Sequence, residues 1–309
     1  MSRTRLRSTA FLLASLAALS VACWAQNTST GTKFKVTGVV PTNSGAAQPA
    51  TAASTAQPSN EGCSAAALRG TYVVQFDGYG TTSTPPQFSA SDFFPISVLG
   101  TFTFGGNGTV NRALTVSAAT LPPFPVSGAG SYQVASDCSG TIEFAATFET
   151  FTIYIVDKHR IEITNTTDGR LGAGVLLKQE IDHCSNESLS GTFVFTVNGF
   201  AASALFGIGN GPSTSLDAYF PAAIVGNWYV DGSGGVTRSL MLNFGGSAFP
   251  YDDQGTYNIA SDCTGSAFFP NDDEPFKLIF VDSKTVVLGV VSSDAPGRHG
   301  IATLHRRER

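Results

Sequence analysis

From residue 62 onward, apolar and polar residues alternate along many short stretches of the chain. Tyr72, Val74 and Phe76 fall on one face of such a stretch, and Phe102 and Phe104 fall on one face of another. A period of two with one apolar face is typical of a β-strand that packs on one side and meets water on the other. The stretches of the first half lie near residues 70–77, 96–104, 109–117, 129–135, 140–147, 150–157, 159–165 and 171–179. The pattern therefore predicts an all-β protein.

The connections between these strands are of two kinds. Three connections have the length and composition of tight hairpin turns, which are short or rich in Gly, Asn and Asp. They lie at residues 105–108, 136–140 and 157–159. The other four are mostly longer and carry Pro or aromatic residues, at 78–95, 118–128, 146–150 and 165–170. Alternate turns of an up-and-down meander fall at opposite ends, so the tight turns share one end and the loops share the other. We expect an eight-stranded antiparallel up-and-down β-barrel with a loop-rich end; the alternative is a two-sheet β-sandwich.

The whole strand pattern occurs twice in the sequence. The run GNGTVNRAL at 106–114 returns as GSGGVTRSL at 232–240, and ASDCSG at 135–140 returns as ASDCTG at 260–265. The offset of about 125 residues is the size of one small domain and is too long for a solenoid repeat. The sequence therefore predicts two tandem barrel domains, at residues 62–181 and 182–309.

The first 61 residues do not follow the strand pattern. Three arginines precede a short apolar run that ends in small residues, which is typical of a secretory signal peptide over residues 1–25. The alternative is lipoprotein processing, because the residues before Cys23 loosely resemble a bacterial lipobox and Cys23 would then carry a lipid anchor. Residues 26–61 are rich in Ser, Thr, Ala and Pro, and we interpret them as a low-complexity linker. We expect no transmembrane segment after processing, because the apolar run is too short to span a bilayer.

The charge balance excludes one class of partner. Only 13% of the residues are charged, and after removal of the leader 15 basic residues face 23 acidic ones. Nucleic-acid binding needs a basic surface, so we expect no nucleic-acid partner.

The four cysteines that follow the leader are predicted to form two disulfides. An even number of cysteines in an exported chain favours disulfides, and three pairings are open. The repeat favours one bond in each domain, Cys63 with Cys138 and Cys184 with Cys263. Four antiparallel strands return the chain to the end where it began, which brings Cys63 and Cys138 together at the tight-turn end.

Motifs for catalysis or metal binding do not emerge from the sequence. The four histidines do not recur between the two copies, and the chain contains no Gly-x-Ser-x-Gly elbow and no paired metal-ligand spacing. We therefore predict no metal, no cofactor and no catalytic residues; this favours a protein that is not an enzyme and leaves the question of an activity open.

The opening of each repeat resembles that of the calycin barrels, the lipocalins and avidins. The residues that carry this resemblance are Cys63-Ser64 followed by Leu68-x-Gly70-Thr71-Tyr72, with a second copy that ends in Phe193. Tyr72 and Phe193 stand where those families have Trp, and no biotin-contacting residue can be placed. Allene-oxide-cyclase-like barrels resemble the chain equally well. The resemblance implies a closed barrel whose last strand carries a basic residue over the first-strand aromatic, with Lys178 and Arg306 as candidates.

Two groups of residues are candidates for a ligand site. Arg112 and Arg238 recur in mid-strand, where a buried arginine needs a partner, and Arg170 and Arg298 recur at the loop-rich end. Aromatic residues also concentrate at that end: Phe88, Phe93, Phe94, Phe124, Phe200, Phe206, Tyr219, Phe220, Phe249 and Tyr251. Such rings either fold over the mouth of the barrel or form an apolar contact patch.

Together these observations predict a secreted, non-enzymatic protein whose two barrels bind a small apolar ligand at the loop-rich end. The candidate ligand-binding residues are Tyr72, Phe76, Phe102, Phe104, Arg112, Tyr132, Phe193, Phe195, Trp228, Arg238 and Tyr257. One alternative is an envelope or extracellular interaction protein that binds a protein or a glycan through aromatic loops. Another is a cyclase or isomerase on the same barrel, which would need an acid or an arginine inside a cavity.

Overall fold

The structure is a computed structural model that describes residues 63–81, 92–118, 121–202, 219–272, 275–289 and 298–308. The predicted signal peptide, the predicted linker and Cys23 lie outside the described residues, as do Phe88 and Phe206. Within the described part of the chain, no helix is long and apolar enough to cross a membrane.

Residues 69–178 form a closed antiparallel barrel in which each strand pairs with the next and the eighth pairs with the first. Its strands are β1 (Arg69–Thr81), β2 (Phe93–Gly105), β3 (Thr109–Ala118), β4 (Leu121–Val134), β5 (Ser139–Phe144), β6 (Glu149–Ile155), β7 (Arg160–Asn165) and β8 (Arg170–Lys178). The tight turns lie between β2 and β3, β4 and β5, and β6 and β7, so they share one end of the barrel.

Residues 190–306 form a second closed barrel of the same topology. Its strands are β9 (Ser190–Ala202), β10 (Tyr219–Asp231), β11 (Gly235–Phe244), β12 (Ser247–Ile259), β13 (Thr264–Phe268), β14 (Phe276–Phe280), β15 (Thr285–Gly289) and β16 (Arg298–Arg306). The prediction of two tandem eight-stranded up-and-down barrels is confirmed, and the sandwich alternative is wrong.

β4 begins eight residues earlier than the sequence pattern predicts, at Leu121 rather than near residue 129. Residues 121–128 therefore belong to a strand rather than to a loop, because β3 and β4 pair from Thr109 with Ser131 to Ala118 with Leu121. The proline-rich start of β4 is tolerated in a strand because its pairing with β5 begins only at Ser131. On the β5 side of this segment, backbone N–H groups are therefore not needed for strand pairing, so proline can stand there.

The tight-turn end of each barrel is closed by a short 3-10 helix, Ala65–Leu68 in the first barrel and Asn186–Leu189 in the second. Leu68 and Leu189 are fully buried in the two cores. The Tyr132 hydroxyl donates to the Ala65 carbonyl oxygen at 2.6 Å, and the Tyr257 hydroxyl donates to the Asn186 carbonyl oxygen at 3.0 Å. These buried tyrosines therefore hold the closing segment in place.

The cysteines lie at this closed end. The structure joins Cys63 to Cys138 and Cys184 to Cys263, with Cα–Cα distances of 5.0 and 4.9 Å. Both distances are ordinary for disulfides. Asp137 accepts a hydrogen bond from the backbone N–H of Ser139 at 3.1 Å, which stabilises the turn that holds Cys138 in a left-handed conformation.

The outer faces of the two barrels pack against each other along an apolar seam. The seam contains Val73 and Leu99 from the first barrel and Ile279, Val281 and Ile301 from the second. Val73 is fully buried although its face of β1 was expected to meet water. Alternation within one strand cannot distinguish a face that meets water from a face that meets another barrel.

The last strand of the second barrel carries the basic residue that the sequence resemblance implies. The Arg306 guanidinium lies over the Phe193 ring at 4.8 Å and donates to the carbonyl oxygens of Ser188, Ser190 and Ser283. It therefore links β16, the closing 3-10 helix and the β14–β15 turn.

We expect Arg306→Lys to lower the free energy of unfolding by about 1–2 kcal/mol, because an ammonium cannot replace the planar set of donors. Urea unfolding followed by Trp228 fluorescence measures this change. The matched control is Arg307→Lys, since Arg307 is exposed and a surface change of this kind stays within about 0.5 kcal/mol. An equal effect of the two substitutions would refute the role of the Arg306 contacts.

Candidate functional site: two barrel cavities

The first barrel encloses a cavity of about 450 Å³ at its loop-rich end. Its walls are mainly apolar side chains from the loop-side halves of β1 to β4, among them Phe76, Phe94, Val98, Leu114 and Val126. The β5–β6 and β7–β8 connections complete the lining with Thr147 and residues 168–169. The volume falls in the range of about 300–1,000 Å³ that is usual for small-molecule sites.

The second barrel has its own cavity of about 390 Å³ in the corresponding place. Its walls are again mainly apolar, with Phe195, Val197, Ile224, Leu242 and Phe276 among them. Both cavities therefore lie opposite the disulfide end, where the sequence places the loops.

The predicted site residues divide into two layers. Those that line a cavity are Phe76, Phe102, Arg112, Phe195 and Arg238. The others pack in the core nearer the closed end: Tyr72, Phe104, Tyr132, Phe193, Trp228 and Tyr257. Rings in this second layer contact one another, as the 5.4 Å between the centroids of Tyr72 and Phe104 and the 4.9 Å between Phe104 and Tyr132 show. The interior of each barrel is thus filled at one end and open at the other.

The aromatic residues attributed to loops belong mostly to strands that extend further than expected. Phe94 lies in β2, Phe124 in β4 and Phe200 in β9, and all three line a cavity. Phe249 and Tyr251 of β12 line the second cavity. These rings form the upper walls of the cavities.

Arg112 lies at the inner end of the first cavity, and its side chain is 1% exposed. Its guanidinium is 2.5 Å from the Glu149 carboxylate, donates to the Thr147 hydroxyl at 2.8 Å and lies over the Phe144 ring at 3.9 Å. Glu149 also forms an ion pair with Arg170, whose side chain is 45% exposed. Burial lowers the pKa of Arg112 to about 10, so the group remains charged at neutral pH.

Arg238 occupies the equivalent place in the second cavity, and its side chain is 4% exposed. It donates two hydrogen bonds to Asp253, at 2.5 and 2.8 Å, and one to Asp272 at 2.7 Å. Its guanidinium lies over the Phe269 ring at 3.6 Å. Burial lowers the pKa of Arg238, but the Asp253 and Asp272 carboxylates more than offset burial, and the pKa stands above its usual value.

The two arginines recur, but the acidic partners that the structure describes stand at different positions of the repeat. Asp253 lies directly opposite Arg238 in the sheet, whereas Gly128 lies opposite Arg112. Asp272 follows the second repeated Cys by nine residues, and Thr147 follows the first by nine. Sequence reasoning missed Glu149, Asp253 and Asp272 as site residues, although a Glu stands eleven residues after the repeated Cys in both copies, at 149 and 274. The signal that could have found them is the need of a buried arginine for a carboxylate.

The second pair of recurring arginines is placed at the loop-rich ends of the last strands. Arg170 begins β8 and lines the first cavity, while Arg298 begins β16. Asp168 lines the mouth of the first cavity and is exposed to solvent. Among the residues that the structure describes, no three His, Cys, Asp or Glu side chains form a group that could hold a metal ion.

Comparison with known proteins does not assign the chain to a family. No family model matches it, and no curated protein matches it. A solved structure that is similar to part of it is a protein of unknown function from the DUF3598 family of Nostoc punctiforme. That match has 11% sequence identity and a TM-score of 0.25, and it covers 79% of this chain and 98% of the other. At this TM-score the match carries no argument, so the fold assignment rests on the strand pairing alone.

Proposed function

We propose that the protein is an exported, non-enzymatic binding protein whose two barrels each hold one small apolar or amphipathic molecule. The observation that carries this proposal is the pair of separate cavities, each with mainly apolar walls and one buried arginine at its inner end. Apolar cavities with a few fixed polar groups are the usual form of a small-molecule site.

Export is supported by the leader pattern of residues 1–25 and by the two cysteine pairs, since disulfides persist mainly outside the cytoplasm. The calycin resemblance agrees with a ligand-binding barrel, and the Arg306 contact with Phe193 is the feature that best supports it.

The interaction-protein alternative depends on exposed rings rather than on cavities. Phe148, in the β5–β6 connection, is 85% exposed and is the most exposed of the large apolar side chains described. However, five of the eight described aromatic residues on which that alternative rested line cavity walls, which favours a small ligand over a protein or a glycan.

The cyclase or isomerase alternative requires an acid or base that faces the ligand. Glu149 is inside the first cavity, but one of its oxygens pairs with Arg112 and the other with Arg170. A proton transfer by Glu149 would have to disrupt one of these ion pairs, so the arrangement favours binding over catalysis.

Titration calorimetry with dodecanol below its aggregation limit tests the proposal, and we expect saturable binding to the whole chain. Leu114 lines the first cavity, so Leu114→Trp should fill that cavity and remove one binding site. Ala113, its neighbour, is exposed on the outer face, and Ala113→Trp should leave the stoichiometry unchanged. If dodecanol and related apolar probes give no saturable heat, or if both substitutions act alike, the proposed function is wrong.

Trp228 provides a separate signal for the second barrel. Its ring stacks on Phe195 at 5.3 Å and contacts Phe276 at 6.2 Å, and both of these residues line the second cavity. The other tryptophan, Trp24, belongs to the predicted leader. Trp228 emission in the processed chain should therefore respond to occupation of the second cavity.

A further inference from the structure

The described ion pairs of the two buried arginines differ in their balance of charge. In the first barrel two guanidinium groups, Arg112 and Arg170, share the buried carboxylate of Glu149. In the second barrel the carboxylates of Asp253 and Asp272 share the guanidinium of Arg238. Arg298 and Glu274, the counterparts of Arg170 and Glu149 in the repeat, are not among the described side chains. Among the described side chains at these positions, the first group carries one excess positive charge and the second carries one excess negative charge.

The first group also contains an unused donor. Arg112 Nε is buried and has no hydrogen-bond partner, although Arg112 lines the cavity. A buried N–H of a charged group costs free energy unless an acceptor reaches it. Arg238 has no such deficiency, because its Nε donates to Asp253.

The exposed acid at the mouth is not paired with either arginine. Asp168 lines the cavity but is exposed, and it is not an ion-pair partner of Arg112 or Arg170 in the structure. The buried Arg112–Glu149 pair is itself neutral, and the additional positive charge is that of Arg170, whose side chain is 45% exposed. The complementarity of the cavity to an anion therefore rests on the unused Arg112 Nε–H together with the nearby Arg170 guanidinium.

We propose that the first barrel is selective for a linear amphiphile with a single carboxylate headgroup, and that the second barrel is not. The carboxylate lies at Arg112 and Arg170, and the alkyl chain lies along the apolar wall formed by Val98, Leu114 and Val126. This inference rests on the proposed binding function and adds the headgroup class and the difference between the barrels. A carboxylate accepts charge-assisted hydrogen bonds from guanidinium groups, so it supplies both the missing acceptor and the missing charge.

One of the differences between the barrels is a glycine, and it provides the means to test the proposal. Gly128 stands opposite Arg112 where Asp253 stands opposite Arg238. A Cβ added at Gly128 would have no atom within 4 Å, so a side chain fits there without displacing anything. The substitution Gly128→Asp should give the first barrel a carboxylate like that of the second.

The experiment compares dodecanoate, dodecanol and dodecyltrimethylammonium by titration calorimetry with the full chain, below their aggregation limits. We expect dodecanoate to bind the first barrel about tenfold more tightly than dodecanol, with the ammonium probe weakest. Leu114→Trp should abolish this binding, and Trp228 emission should not report a preference for dodecanoate.

Two substitutions test the origin of the preference. Gly128→Asp and Arg170→Gln each remove the excess positive charge, so each should reduce dodecanoate affinity at least about fivefold and leave dodecanol affinity unchanged. The controls are Ala129→Asp on the outward-facing neighbour of Gly128, and Arg160→Gln in an exposed ion pair.

The outcomes separate the two levels of the proposal. If dodecanol binds but dodecanoate binds no more tightly, or if both barrels prefer dodecanoate equally, the selectivity is refuted and the binding function stands. If none of the three probes binds, the binding function itself is refuted. Equal effects of Gly128→Asp and Ala129→Asp would refute the assignment of the headgroup to Arg112.

Discussion

Replacing Arg238 with methionine is expected to lower the free energy of unfolding of the second barrel by about 3–5 kcal/mol, which is the usual cost of removing one partner of a buried ion pair. The side chains of Asp253 and Asp272 are only 6% and 14% exposed, and the guanidinium between them binds both. Without it, two carboxylates share a poorly hydrated site with no positive charge from Arg238. Urea unfolding followed by Trp228 emission measures the loss, because Trp228 is buried in the same core.

The pH dependence of this loss tests its cause. In Arg238→Met the folded-state pKa of at least one of the two carboxyl groups should rise above its unfolded value, because burial and a like charge both disfavour ionisation. A raised folded-state pKa stabilises the folded state when the group is protonated, so the deficit should shrink as the pH falls towards 5. A loss of unfolding free energy that is constant between pH 8 and pH 5 would show that lost packing, rather than charge, is responsible.

Arg160→Met provides the matched comparison. Arg160 and Glu162 form an ion pair at 2.8 Å, but their side chains are 50% and 47% exposed. Exposed pairs contribute at most about 1 kcal/mol, so this substitution should have a small effect at every pH. A loss as large as that of Arg238→Met would contradict the role of burial.

The second large effect is expected from loss of the disulfides. Cys63 and Cys138 are 75 residues apart, and Cys184 and Cys263 are 79 apart. A crosslink that closes a loop of this length stabilises a protein by about 4 kcal/mol in the chain-entropy model. We expect Cys184→Ser with Cys263→Ser to destabilise the second barrel by about that amount, as measured by urea unfolding without reductant.

Peptide mapping without reduction identifies the bonds themselves. The expected products are one peptide pair that contains Cys63 with Cys138 and another that contains Cys184 with Cys263. The control for the unfolding experiment is the wild-type chain with reductant, which should lose stability to a similar extent. A crosslink between Cys138 and Cys263 would overturn the assignment of one bond to each barrel.

The architecture could be predicted from the sequence because it depends on local and repeated signals. The alternation of apolar and polar residues located the strands. The sequence repeat indicated that both copies form the same fold. The start of β4 was missed because prolines near residue 122 suggest a loop, whereas the tolerance for proline depends on how far β5 extends beside them. Val73 was placed on a water-facing side because its burial depends on the other barrel.

The candidate site could be predicted only in part. Arg112 and Arg238 were found because they recur, and the loop-rich end was found because tight and long connections alternate. Gly128 and Asp253 occupy the same place in the repeat, seven residues before each ASDC motif, but only the sheet register shows that they stand opposite Arg112 and Arg238. The sequence also does not show which inward-facing rings line a cavity and which fill the core, because both kinds occupy the same face of a strand.

The seam between the barrels joins unlike faces of the repeated unit. The second barrel contributes Ile279 and Val281 to it, and their counterparts in the first barrel are Tyr154 and Val156. Tyr154 and Val156 are 57% and 59% exposed, so the first barrel leaves open the face that the second barrel uses.

The reverse holds for the face that the first barrel uses. Leu99 lies in the seam, and its counterpart in the second barrel, Val225, is 52% exposed. The contact is therefore heterologous, and no twofold axis exchanges the two barrels. The two cavities consequently have different surroundings beyond their own walls, and duplication of the unit created two inequivalent compartments in one chain.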